Sequence, residues 1–299
     1  GLTEAAAFDA EEIDVYPDRL EARAGCRTVV HALDREYRLT TDFVRLSVEP
    51  RDPEEAARPF TLECEGVHEA RLSEVGFETT CASQTLLANG LLRERGEPAQ
   101  RIDASRVTAR GRVEVHHFGQ LELHGAGDLF TLDATGIGRL EAGDDKRVTA
   151  WGRFAENSLP YEMTASYVRF DPTTLDAGSP RVYLDATLLP VFPTGAGIGG
   201  FTEARGDSLR VDAQSVWLLG NAHVEGIDRS GKKLVLDASS VRLDGDVKDA
   251  SKVESGHWIR GIEAIGGFNA SYEEGGRASG DSFLFTRERA VLLGAPADL

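Results

Sequence analysis

The histidines are the first residues in this chain whose types and spacing suggest chemistry. His116, His117 and His124 form its one histidine cluster. On a strand His117 faces away from His116, so those neighbours cannot grip one ion together. His116 and His124 could meet across a hairpin turned near Gly119, supplying two of the ligands a zinc site needs. The plainer reading, a polar outer face, is the expectation, with no metal. Cys64 and His68 lie close in sequence but outside any nucleophile-elbow context. No spacing singles out two of the many acids as a glycosidase pair. The stretch Gly195-Ala-Gly-Ile-Gly-Gly200 looks like a phosphate-cradling loop. Such loops open a helix and carry a Lys or a distal acid. Here Phe201-Thr202-Glu203 leads into another strand instead, so a flexible joint is expected. Arg205-Gly-Asp-Ser208 would pass for an adhesion tetrapeptide, but its twin Ser279-Gly-Asp-Ser282 marks Gly-Asp-Ser as a turn element. The sequence therefore proposes no catalytic residue and no cofactor.

The elements that would position these residues are strands. Arg112 to His116, Gln120 to His124 and Ser208 to Asp212 alternate polar with apolar, and Lys233 to Asp237 does so more loosely. Period two marks a strand with one buried face. Strand candidates recur every dozen residues or so between Gly, Asp, Asn and Pro, which favours an antiparallel meander. Helix signals are few. Asp52 to Arg58 could open a short surface helix with Pro53 at its first position. Cys81 to Arg95 carries helix-compatible Leu pairs at 86/87 and 91/92, and strand and helix both stay open there.

Internal repeats point further. Ala204-Arg-Gly-Asp-Ser-Leu-Arg-Val, ending in Leu218-Leu-Gly220, recurs as Ala278-Ser-Gly-Asp-Ser-Phe-Leu-Phe, ending in Leu292-Leu-Gly294. An apolar residue followed by Asp-Ala-Ser/Thr appears with Asp at 103, 133, 185 and 237, and Asp212 opens a variant. A third unit places Glu a few residues before Gly, as in Leu62 to Gly66, Leu121 to Gly125 and Ile262 to Gly266. Quasi-periodic strand pairs predict a solenoid-like stack with a continuous core.

Ile262-Glu-Ala-Ile-Gly-Gly267, Ala278-Ser-Gly-Asp281, Phe285 and Leu292-Leu-Gly-Ala-Pro296 together resemble the signature of the lipopolysaccharide-transport (OstA-like) domain. The copy at 204–220 matches it too, with Val211 in the aromatic place and Asn221-Ala222-His-Val224 following. The resemblance is good over 200–299, fair over 100–200 and thin before 100. It implies an all-β fold, an antiparallel β-taco or jelly roll with an open apolar groove. It also implies a non-enzymatic role in the periplasm of a Gram-negative-type envelope, carrying lipopolysaccharide or a similar glycolipid to the outer membrane. Neighbouring β-taco proteins, or further copies head to tail, would pair through end strands. The chain would divide into segments 1–195 and 196–299, with the joint at Leu189 to Gly200.

Within the repeats one phase joins Leu209, Val211, Val216 and Leu218 to Phe283, Phe285 and Leu292. The Asp-Ala-Ser strands add Leu234, Leu236, Val241 and Leu243. These are the expected groove wall, with Arg210 and Asp212 facing solvent; plain sandwich core is the competing reading. Two runner-up functions remain: a structural or adhesive β-solenoid whose outer face binds glycans, and a β-helix enzyme acting on polysaccharide. Aromatic residues exposed in a row, or paired carboxylates in a cleft, would favour the latter.

Composition is compatible with all of this. The net charge of -17 repels nucleic acid and anionic membrane surfaces, so a lipid must be gripped by its apolar part or by local basic residues. No run of 18 apolar residues exists to span a bilayer as a helix. The chain starts at Gly1 without a signal-peptide pattern, as a secreted protein does after processing. Cys26, Cys64 and Cys81 follow no metal-ligand spacing, and their pairing stays open.

Overall fold

A computed structural model of the protein describes residues 7–32, 35–50, 57–93, 102–153, 160–184, 198–212, 214–228, 232–245, 259–273, 275–286 and 290–294. Among them the fold is all-β, without a helix, and every strand pairing is antiparallel, the architecture a β-taco or jelly roll requires. The chain forms two compact units, Gly1–Gly119 with His124–Lys146, and Gln120–Leu123 with Arg147–Leu299.

In the first unit, β1 (Ala7–Asp9) and β2 (Glu12–Val15) both pair with β3 (Arg19–Ala32). A meander follows through β4 (Arg35–Val48), β5 (Ala57–Glu74), β6 (Phe77–Arg93) and β7 (Ile102–Phe118). β8 (Glu122–Asp133) and β9 (Gly138–Glu141) close it as a hairpin. A straight strand of 18 residues would reach roughly 60 Å. These strands are instead interrupted midway: the register slips between Arg23 and Cys26, Thr40 and Thr41, Val67 and Ala70, and Ala82 and Thr85. Bulges of this kind bend the strand. Gly66, at φ +63, stands at one such corner, and a Cβ there would run into the Asp42 carboxylate.

In β4, β6 and β7 the corner also switches the inward phase, whereas β3 and β5 keep theirs, Ala22 and Cys26 in the one and Cys64 and Leu72 in the other. In β6 Thr79, Cys81 and Ser83 are buried before the bend, and Leu86, Ala88 and Gly90 after it. In β7 Ala109 gives way to Val113, Val115 and His117 across Gly111-Arg112. The open choice for Cys81 to Arg95 thus resolves as strand up to Arg93. The expected helix at Asp52 to Arg58 lies largely outside the described residues, and Ala57 and Arg58 already belong to β5.

The second unit opens with β10 (Val148–Arg153), β11 (Pro160–Ala165) and β12 (Tyr167–Phe170). β13 (Leu175–Gly178), β14 (Arg181–Leu184), β15 (Ile198–Arg205) and β16 (Ser208–Val211) follow. Four longer elements are β17 (Ser215–Asp228), β18 (Lys233–Gly245), β19 (Ile259–Tyr272) and β20 (Arg277–Thr286); β21 (Ala290–Leu293) is last. β15 and β16 are two halves of one bent strand, since both pair with β17, on either side of Gly220-Asn221.

Gly206-Asp207 sits at the break between those halves, and Gly280-Asp281 lies within β20. The Gly-Asp-Ser unit therefore marks a mid-strand corner and not a chain reversal, which corrects the sequence reading. Its Gly is needed for close approach: a Cβ on Gly206 would lie 3.1 Å from the Gly220 carbonyl oxygen, and one on Gly280 2.9 Å from that of Leu293. Chain reversals use the Asp-Ala unit and its variant instead. Asp133 Oδ1 accepts from the amides of Thr135 (2.9 Å) and Ile137 (3.1 Å), and Asp212 Oδ1 from those of Gln214 and Ser215, both 2.9 Å. The same motif at Asp103 and Asp237 lies inside β7 and β18, so it is not one structural unit. Asp185 and most of the expected joint at Leu189 to Gly200 lie outside the described residues; Ile198 to Gly200 belong to β15.

Candidate functional site

The first unit holds an apolar slot of about 240 Å³. Its lining comes from both arms of the same bent strands: Tyr37 and Leu39 before the corner of β4 and Leu46 after it. In β5 Phe60 and Leu62 face Ala70 and Leu72 across the bend, and in β6 Thr79 and Cys81 face Leu86, Ala88 and Leu92. Phe130 and Leu132 of β8, Thr28 and Val30 of β3, Ala104 and Val107 of β7, and Arg38 and Arg71 also line it. A cavity of about 150 Å³ lined by aliphatic and aromatic groups stays dry and takes up benzene, so this larger one suits a hydrocarbon. Phe60, Leu72, Cys81, Leu86 and Ala88 are buried, whereas Tyr37, Leu39, Leu46 and Leu62 remain half-buried, so one part of the wall is open to solvent.

The groove residues expected from the sequence occupy the second unit. Two cross-strand ladders assemble them. One runs Leu209, Leu218, Val241, Ala264, Phe283, Leu292; the other runs Val211, Val216, Leu243, Ile262, with the backbone of Phe285 next. Leu234 and Leu236 lie past the bend of β18, opposite Gly226 and Val224. Leu209, Val211, Leu218, Leu236 and Val241 are buried; Val216, Leu234, Leu243, Phe283 and Leu292 are half-buried; the Phe285 side chain lies outside the described residues. Arg210 is exposed and Asp212 half-exposed, as the alternation requires. None of these residues lines the slot of the first unit. That slot was missed because family resemblance thins before residue 100, although Phe60-x-Leu62-x-Cys64 and Leu86-x-Ala88 carry the alternation that could have found it.

The three cysteines are buried and unpaired with one another. Burial pushes the thiols of Cys64 and Cys81 up to about 12, so both stay protonated at neutral pH. Cys64 turns inward while His68 turns outward, its Nε2 2.9 Å from Asp42 Oδ1, and the two do not form a nucleophile and base. His116 and His124 do meet, ring centroids 4.6 Å apart, with Phe118 5.5 Å from His124. Burial, then His124, lowers the His116 pKa. His117 departs from the polar-face reading: it is buried, with Nδ1 2.8 Å from Thr79 Oγ1. Among the described residues no three of His, Cys, Asp or Glu are placed to hold a metal ion.

Glu21 is the one acidic residue buried among the described residues. Arg19 and Arg45 each place Nε 3.1 Å from its Oε1, and an Arg23 nitrogen lies 3.1 Å from Oε2. Burial raises its pKa, and those guanidinium hydrogen bonds and charges outweigh the burial and hold it below the usual carboxylate range. Asp14, Glu12 and Glu63 occupy the outer sides of Arg23 and Arg45, so the cluster is a closed ion network and not an anion receptor. No family model matches the chain, and no curated protein does.

Proposed function

We propose that the protein carries the acyl part of an amphipathic envelope glycolipid, of the lipopolysaccharide class, and makes or breaks no bond in doing so. The observation that carries this reading is the slot walled by both arms of β4, β5 and β6, lined mainly by apolar side chains and open along half-buried Leu39, Leu46 and Leu62. Each CH₂ moved from water into such a slot gains about 0.8 kcal/mol. Mainly apolar walls let a chain slide, and the charged lining residues, Arg38 and Arg71, are ion-paired with Glu36 and Glu69. The charge of -17 leaves the apolar part as the handle for an anionic lipid. A periplasmic setting, with transfer between β-taco partners, follows from the same reading. Among the described residues β21 pairs with β20 alone, which leaves an edge for strand addition.

A photo-crosslinking residue in place of Leu62, which lines the slot, should capture lipid from envelope extracts, and one in place of its exposed neighbour Glu63 should not. Equal labelling at both positions, or none at either, removes the proposal.

A further inference from the structure

The outer face of the second unit carries a second set of groups, independent of the slot. Trp151 stands opposite Glu162, and Glu162 opposite Tyr183. Trp151 is 46% exposed and Tyr183 39%. Neighbouring strands lie about 4.8 Å apart, so the two residues are rooted about 10 Å apart on the face, the length of one disaccharide in an extended glycan. The same row continues through Glu203 and Glu225 to Ser271. There it meets a hollow of about 710 Å³ whose polar walls include Asp237, Asn269, Ser271, Arg277 and Ser279.

The rim of the hollow is tied to the neighbouring strand by hydrogen bonds. The Tyr272–Gly276 turn closes through Tyr272 N to Gly276 O, 2.9 Å. Its Glu273 is fastened to Lys233 twice, amide to carbonyl oxygen at 3.0 Å and carboxylate to amide at 2.8 Å. Gly275 presents bare backbone, with nothing within 4 Å of where a Cβ would stand.

Charge on this face is balanced. With Glu273 of the rim, Glu162, Glu203, Glu225 and Asp237 make five acids beside five bases, Arg153, Arg181, Arg205, Lys233 and Arg277, in a chain of net -17. Arg181 pairs with Glu203 at 3.2 Å, Lys233 with Glu225 at 2.8 Å, and His223 with Asp237 at 2.6 Å. Exposed aromatic residues rooted at disaccharide spacing, a hollow rich in donors and acceptors and no excess charge match one chemistry. The geometry points to a binding face for an extended, neutral, hydroxyl-rich glycan. Sugar rings lie on Trp151 and Tyr183 through their C–H faces, and hydroxyls are bound by Asn269, Ser271 and Arg277.

Isothermal titration of the full chain with cellohexaose and with the hexamer of N-acetylglucosamine tests this. At least one hexasaccharide should bind, and bind at least tenfold tighter than its disaccharide, because one disaccharide cannot engage both rings and the hollow. Trp151→Ala and Tyr183→Ala should each weaken binding at least fivefold, and Asn269→Ala severalfold. Leu219→Ala, exposed elsewhere on the unit, should change nothing. These side chains are exposed, so folded variants are expected, and circular dichroism confirms them. No binding of either hexasaccharide at millimolar concentration, or undiminished binding by the Trp151→Ala/Tyr183→Ala double variant, overturns the inference. Lipid capture at Leu62 is read on the same variants and should persist, so the two readings fail separately.

Discussion

Replacing Ala88 with Leu makes the slot itself the object of measurement. Ala88 is 6% exposed, lines the slot, and stands between Leu62 and Val107 on the neighbouring strands. Leucine adds three carbons. Space of about 240 Å³ accommodates them without moving backbone, so the unliganded protein should gain up to about 2.4 kcal/mol, at about 0.8 kcal/mol per buried carbon. Had the site been packed to ordinary density, the same change would cost about 1–3 kcal/mol through strain. The two cases differ in sign. All three tryptophans lie at 151, 217 and 258, in the second unit, so tryptophan fluorescence does not report on this region. The buried thiols of Cys64 and Cys81 do, because they react only when the first unit opens. A gain of 2.4 kcal/mol slows their labelling about fiftyfold, at a factor of ten per 1.4 kcal/mol. The same variant should retain less lipid, since acyl chain and leucine compete for one volume. Faster labelling together with unchanged lipid content would refute both the empty slot and its use.

Three further outcomes follow from the structure. Gly266→Val, at φ +78 and with its Cβ placed 2.8 Å from Ser239 Cβ, should cost at least about 1–2 kcal/mol in chemical denaturation from the left-handed backbone alone; a neutral result would remove the corner from the argument. The thiols of Cys64 and Cys81 ionise near 9 when unfolded and near 12 when folded, so their contribution is complete below pH 9 and is lost as pH rises towards 12. Cys81→Ala should flatten that alkaline loss in urea midpoints, and an unchanged slope would count against burial as its cause. Asp171 and Asp212 have folded pKa values below 3.8: burial raises them, but hydrogen bonds from Thr173 and Thr174, and from Gln214 and Ser215, outweigh it. Their contribution is present above about pH 4 and lost as pH falls through the folded values, so Asp212→Asn should show a smaller acid loss than the parent, measured by thermal melts from pH 5 to 2.

What the sequence made legible was the alternation on either side of each corner. Val113, Val115, Leu121, Leu123, Leu209 and Val211 all point inward as period two demands, because a strand has only two faces. The corners themselves were harder to read. At the corner of β6 the phase inverts, so Ser83 and Leu86 both face inward although an unbroken alternation would separate them, while β5 keeps its phase from Cys64 to Leu72. The Leu pairs that follow put one leucine on each face, Leu86 4% and Leu87 38% exposed, and two adjacent apolar residues look the same on a helix as on a strand with both faces partly covered. The Glu-to-Gly unit did mark two corners, since Gly66 and Gly266 both have positive φ. Its meaning is invisible without the neighbouring strand whose Asp42 or Ser239 occupies the space a Cβ would need. The slot is hidden for a related reason. Its walls join Tyr37 to Leu46, residues in opposite phases of β4, and Phe60 to Leu72, which lie on separate arms of β5, and only the bend brings each pair onto one surface. Where the corner inverts the phase, as in β4 and β6, the binding face is split between two phases of one strand, and a search along a single phase finds one wall of it. In the second unit the single-phase search returned ladders in which Leu209, Val211, Leu218, Leu236 and Val241 are buried and Val216, Leu234, Leu243, Phe283 and Leu292 half-buried.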